Sequence, residues 1–133
     1  MPIQLEIVTP EKRLLSQSVD SVKAPGMDGS FGVLPGHTPY VAALQPGSLT
    51  LIQGNREQHY FIGGGFAQVQ GDRVIILAES AESAEEIDVE RAERALTESQ
   101  ARLKSLREEE ELFQVERARV QRATARITMA RKR

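Results

Sequence analysis

The sequence predicts two units of different class: an N-terminal antiparallel β-sandwich over residues 1–84 and a C-terminal two-helix antiparallel hairpin over 85–133. Three observations carry this. All ten glycines and all six prolines lie at or before Gly71, so the chain turns often early and hardly at all later. Early segments alternate apolar and polar residues with period two, whereas later ones are rich in Ala, Glu, Leu and Arg at helical spacing.

The strands come first. In IQLEI, Ile3, Leu5 and Ile7 alternate with Gln4 and Glu6. SLTLIQGNREQHYFI places two runs around Gly54-Asn55, and FAQVQGDRVIILAE places two around Gly71-Asp72. Glycine at the first central position predicts type II′ hairpin turns, whose twist matches the strands they join. VIIL, residues 74–77, is a near-continuous apolar run and predicts a strand buried on both faces. GSFGVLPGHTP, residues 29–39, predicts a tight loop serving as a docking surface. The glycines of GGGF, residues 63–66, lack a P-loop's Lys-Ser/Thr and predict close sheet packing or a bulge.

The helices follow. Ala92, Ala95, Leu96, Ser99, Leu103 and Leu106 trace one helical face; Phe113, Val120, Ala123, Ile127 and Ala130 trace another. REEEE, residues 107–111, interrupts the first, which predicts a turn near 104–110. Ser83 with Glu86 forms a candidate capping box, and Asp88 is the alternative cap. The apolar face is mostly alanine, which yields little buried area, so the hairpin is expected to dock weakly.

The bulk numbers exclude several classes. A net charge of −2 argues against a nucleic-acid binder, and the absence of cysteine removes disulfide and thiol chemistry. No apolar run reaches membrane-span length, and the start reads directly as a strand, so no signal peptide is expected. His37 and His59 are the only histidines and have no companions at ligand spacing; both read as surface or capping residues, and no metal site is expected. Nucleophile, base and orienting group are nowhere assembled, so the chain is expected not to be an enzyme by itself. Residues 117–133 carry seven basic groups (Arg117, Arg119, Arg122, Arg126, Arg131, Lys132, Arg133) and no acidic one. Two readings of that tail stay open: a solvated helix face, or a basic rod that meets an acidic partner.

LEIVTPEK, GSFGVLPGHTP, GGGFAQV and IDVERA occur in that order and together resemble the epsilon subunit of F-type ATP synthases over nearly the whole chain. The tail after Ala81 resembles cyanobacterial and plastid members. The resemblance implies a sandwich of about ten strands, docked on the gamma subunit and the c-subunit ring, and a hairpin that folds on the sandwich or extends into the catalytic head to restrain hydrolysis. Asp28, Ser30, His37 and Thr38 would then face the c ring, although relatives often carry an acidic residue where Ser30 stands. Arg117, Arg119, Arg122 and Arg126 would meet an acidic stretch of the beta subunits, with the alpha subunits nearby. The implied place is the cytoplasmic or stromal side of a plasma or thylakoid membrane, peripherally bound. Some bacterial relatives bind ATP through an Ile-Asp-x-x-Arg-Ala start, matched here by Ile87, Asp88, Arg91 and Ala92, with Arg122 and Arg126 as further candidates. Where those relatives carry another arginine this chain has Glu98, whose carboxylate would repel phosphate, so no cofactor is expected. The rival reading is a stand-alone sandwich with a basic arm for nucleic acid or an acidic protein. Nucleic acid is disfavoured because Phe113 is the arm's only aromatic, leaving little to stack on bases.

Overall fold

A computed structural model describes residues 2–34 and 36–132, with the backbone alone at His37 and Thr38. Eight strands come first among these: β1 (Ile3–Val8), β2 (Arg13–Val19), β3 (Ser21–Gly26), β4 (Gly29–Val33), β5 (His37–Gln53), β6 (Arg56–Gly71), β7 (Arg73–Ala78) and β8 (Ala81–Ser83). A single 3-10 turn (Ala84–Glu86) leads into α1 (Val89–Lys104) and α2 (Glu111–Ala130). The architecture is a β-sandwich followed by a helical hairpin, as the sequence predicts.

Eight strands replace the expected ten because β5 and β6, 17 and 16 residues long, each serve both layers. The strand order β2-β1-β7-β6-β5-β3-β4 is one continuous ladder folded over on itself, with β8 added beside β6. The fold-over occurs at Gly63–Gly65, where β6 exchanges β8 for β7 as its neighbour. Gly64 and Gly65 have φ of 103° and 136°, a region that favours glycine, so the triple glycine is a corner. Pairing is antiparallel except between β1 and β7, which run parallel. Both predicted hairpins are present, with Gln53 opposite Arg56 and Gln70 opposite Arg73. Gly54 and Gly71 have φ of 61° and 59° while no other residue type among the described residues has positive φ, the pattern of a type II′ turn.

Two expectations change. VIIL is not buried on both faces: Val74 and Ile76 are in the core, while Leu77 is 42% exposed on the outside. The run looks continuous because β7 offers an apolar outer face as well as an apolar inner one. Half of the presumed loop 29–39 is strand β4, paired with β3 from Gly29 opposite Gly26 to Val33 opposite Val22.

The main core joins Ile3, Leu5 and Ile7 to Leu49, Leu51, Ile62, Val69 and Ile76, all at most 1% exposed. Fully burying such side chains contributes roughly 1.5–3 kcal/mol each. Its buried members lie between Ile3 and Ala78, within the sandwich. A second, smaller core is built from both units: Phe61, Ala84, Ile87, Met129 and Ala130.

Candidate functional site

The two helices present two faces to two neighbours. On α2, Glu116, Ala123, Ile127 and Ala130 lie on one side of a helical wheel and are buried. Arg122, Arg126 and Met129 lie about a quarter-turn away. Met129 is fully buried against the sandwich beside Phe61, itself fully buried. The mostly alanine face is not the whole of the docking: at its C-terminal end the arm shares a buried cluster with the sandwich, in which Met129 joins Phe61, Ile87 and Ala84.

Arg126 crosses that nest. Its Nε donates to Glu82 Oε1 at 2.6 Å, and its guanidinium carbon lies 4.3 Å from the centroid of Phe61. Gln121 Nε2 reaches Gln45 Oε1 at 3.4 Å, a second polar link from α2 to the sandwich.

Between the helices sits Glu116, 4% exposed. Its Oε1 accepts from Arg119 Nη1 at 2.7 Å, and its Oε2, with no hydrogen bond of its own, lies 3.6 Å from Arg102 Nη1 on α1. Burial pushes this carboxyl's pKa up, but the Ser99 hydroxyl and the guanidiniums of Arg119 and Arg102 together outweigh it and hold the pKa below the ordinary carboxylate value. A folded-state pKa below the unfolded one stabilises the closed hairpin at neutral pH, and that contribution disappears as pH falls through the folded value. The protection of the Ser99 and Ala123 amides, taken relative to the intrinsic exchange rate at each pH, should therefore fall on acidification below the ordinary carboxylate range more steeply in the parent than in Glu116→Gln. Equal slopes would mean that Glu116 does not hold the helices together.

Asp88 caps α1, accepting from the backbone N–H of Arg91 at 3.1 Å. Ser83 does not cap α1; it precedes the 3-10 turn, and its hydroxyl donates to Glu86 Oε1 at 2.8 Å. The alternative cap prevails because the chain stays extended at Ile87 and turns helical only after Asp88.

Of the nucleotide candidates, Asp88, Arg91, Ala92 and Arg126 line one depression together with Glu82, Glu86 and Ala95. Ile87 is buried beneath, and Arg122 lines a neighbouring depression with Glu98, Arg102 and Arg119. The first depression sets the guanidiniums of Arg91 and Arg126 against the carboxylates of Glu82, Glu86 and Asp88, a balance that disfavours a phosphate. Glu98 lies 3.7 Å from Arg102, one turn along α1.

The four candidate c-ring residues divide into two pairs. Asp28 lies in the β3–β4 turn and Ser30 on β4, both exposed. His37 and Thr38 open β5, with His37 opposite Gly71, and their side chains lie outside the described residues. Met27 N–H donates to the Ala43 carbonyl, six positions along β5 from His37, which separates the pairs by about 20 Å at strand rise. Gly36 N–H donates to Asp72 Oδ1 at 3.2 Å, tying the start of β5 to the Gly71-Asp72 hairpin. The other histidine, His59, shares a 3.0 Å hydrogen bond with Thr50 Oγ1 on the neighbouring strand.

The sequence reading missed an outer sheet face. Phe66 on β6 stands opposite both Ala43 of β5 and Leu77 of β7. Val41, Phe66 and Leu77 are 65%, 53% and 42% exposed, and Met27, beside Ala43, is 60% exposed. The patch is assembled from single outer positions on neighbouring strands and one turn, which alternation within a strand does not report.

The β-sandwich model of the ATP synthase Delta/Epsilon chain family matches residues 2–84. The ATP synthase epsilon chain of Anaeromyxobacter sp. (strain K) is 55% identical over 130 residues, covering 98% of both chains. The chain belongs to the ATP synthase epsilon-chain family. The epsilon chain of Myxococcus xanthus is 48% identical over 96% of this chain and 94% of its own. A chain in the cryo-EM structure of Euglena gracilis mitochondrial ATP synthase (OSCP/F1/c-ring, rotational state 1) superposes with a TM-score of 0.79 at 27% identity, covering 99% of this chain and 82% of that one. These two epsilon-chain relatives are bacterial, so the plastid flavour of the tail gains no support from them. As an epsilon-family member the chain is a subunit of an enzyme complex, and no described helix is long and apolar enough to cross a membrane.

Proposed function

We propose that this chain is a non-catalytic rotor subunit of an F-type ATP synthase. Residues 1–84 dock on the gamma subunit and the c ring during proton-driven ATP synthesis. Residues 85–133 form a regulatory arm that restrains ATP hydrolysis when it reaches the alpha and beta subunits. The membrane association is peripheral, through the c ring.

The observation that carries the docking role is the bare apolar face of Val41, Phe66, Leu77 and Met27. A contiguous patch of this kind on a folded surface marks an interaction site, and the chain's own α2 packs elsewhere, around Gln45, Phe61 and Glu82. The likeness to a chain of the Euglena gracilis OSCP/F1/c-ring assembly supports the same reading. Asp28, Ser30, His37 and Thr38, spread along the sandwich, would give the c ring a broad footprint. The inhibitory contact uses Arg117, Arg119, Arg122 and Arg126, whose planar forks pair with carboxylates.

Phe66→Glu combined with Leu77→Glu tests the docking role. Both side chains point outward, so the sandwich should stay folded. Capture of gamma from membranes should fall roughly a hundredfold, because an unpaired carboxylate buried in an apolar interface costs several kcal/mol. Undiminished capture by a folded double variant would remove this face from the interface.

A further inference from the structure

Besides the Met129 nest and the Gln121–Gln45 link, one guanidinium ties the arm to a receptor made of two cross-strand neighbours. Glu82 on β8 stands directly opposite Phe61 on β6 in the antiparallel register. One offers a carboxylate and the other a ring face, and Arg126 spans both, at 2.6 Å and 4.3 Å. One helical turn on, Met129 fills the apolar floor. We propose that Glu82 and Phe61 are a latch whose capture of Arg126 sets the fraction of chains with the arm parked, so that Glu82 tunes inhibition. The regulatory consequence rests on the proposed inhibitory role of the arm; the latch itself does not.

Three features make the latch specific. An ionised hydrogen bond is about twice as strong as a neutral one, and a cation over a ring adds to it where solvent is partly excluded. The side chains of Arg126 and Glu82 are 31% and 32% exposed, so water screens the pair only in part. The nearby carboxylates are already engaged: Glu86 accepts from Ser83 Oγ and Asp88 from Arg91 N–H. If Glu82 is neutralised, Glu86 or Asp88, which line the same depression, would have to share or leave these partners to replace it. The same guanidinium cannot pair with a beta-subunit carboxylate while it is held here, so parking and inhibition compete for Arg126.

The chain has no cysteine, so one introduced thiol is a clean reporter. Met129→Cys places it at a fully buried position that opens only when the arm lifts. With reclosing fast, the thiol-labelling rate follows the open population. In the isolated full-length chain, adding Glu82→Gln should raise that rate about tenfold, as expected from the loss of a charge-assisted hydrogen bond. Phe61→Leu, which keeps the apolar floor but removes the ring, should raise it by a smaller factor. Glu11→Gln, a neutralised exposed carboxylate between β1 and β2, should leave it unchanged. Labelling of the Glu82→Gln chain at the reporter's parent rate would overturn the latch. In the assembled complex, Glu82→Gln should strengthen inhibition of ATP hydrolysis. Faster labelling with unchanged inhibition would leave the latch standing and overturn the inhibitory role of the arm instead.

Discussion

Gly65→Ala should destabilise the sandwich by about 3 kcal/mol or more, through backbone strain added to a steric clash. Gly65 has φ of 136°, which L side chains rarely adopt. A Cβ there would also run into the carbonyl oxygen of Leu77, with Ala78 Cα and Leu77 C at 3.0 Å behind it. All of these are backbone atoms of the paired strand, so no rotamer change relieves the overlap. The corner at which β6 crosses between layers would have to move, and with it the register of Phe66 opposite Leu77. Gly32→Ala is the control: its Cβ would find only the Val22 carbonyl oxygen, at 3.9 Å, so the change should be nearly neutral. Urea denaturation of both variants measures the difference. A Gly65→Ala midpoint close to the parent's would show that the corner relaxes freely.

That corner marks a boundary of what the sequence shows. Strand β1 and the hairpins at Gly54-Asn55 and Gly71-Asp72 were legible because each is local: alternation and a turn glycine suffice. The lengths of β5 and β6 were not. The triple glycine reads as close packing or a bulge, and it lies inside β6 as a corner; that the strands continue through it and through Pro46 is not a local signal. The helical hairpin was legible from its missing Gly and Pro, and the turn near 104–110 matches the gap between Lys104 and Glu111.

The candidate site was less legible because long charged side chains have two natures. Arg126 and Glu116 read as solvated charges from their type alone. In the fold, Arg126 lays its guanidinium over Phe61 and Glu116 is buried between helices. Burial of a charge depends on partners far away in sequence, here Glu82 and Arg102, and period alone does not report them. Met129 was missed for a related reason. It lies off the single apolar stripe, on the face that meets the sandwich rather than α1. Two arginines at helical spacing before it disguise that face as polar.

Arg117→Ala with Arg122→Ala should abolish most of the inhibition of ATP hydrolysis proposed for the arm while leaving the docked arm unchanged. The choice follows from what the other two arginines do at rest. Arg119 is bound to Glu116 at 2.7 Å and Arg126 to Glu82 at 2.6 Å. Replacing all of Arg117, Arg119, Arg122 and Arg126 would weaken the inhibitory contact and release the arm together, and those effects oppose each other. The side chains of Arg117 and Arg122 enter no ion pair or hydrogen bond among the described residues. Their loss therefore acts mainly on the extended state. Two charge-assisted hydrogen bonds at a partly buried interface correspond to roughly a tenfold or greater loss in inhibitory potency, after desolvation and ordering costs. Lysine at both positions should restore part of it, since charge returns without the bidentate fork. Rising salt should weaken the parent's inhibition more than the double variant's, because screened charges matter less once two are gone. Labelling of Met129→Cys in the double-alanine background should match the single reporter, which separates contact from release. If the double variant inhibits as strongly as the parent while its arm stays parked as before, the arm works by steric obstruction and its basic stripe is a solvated helix face.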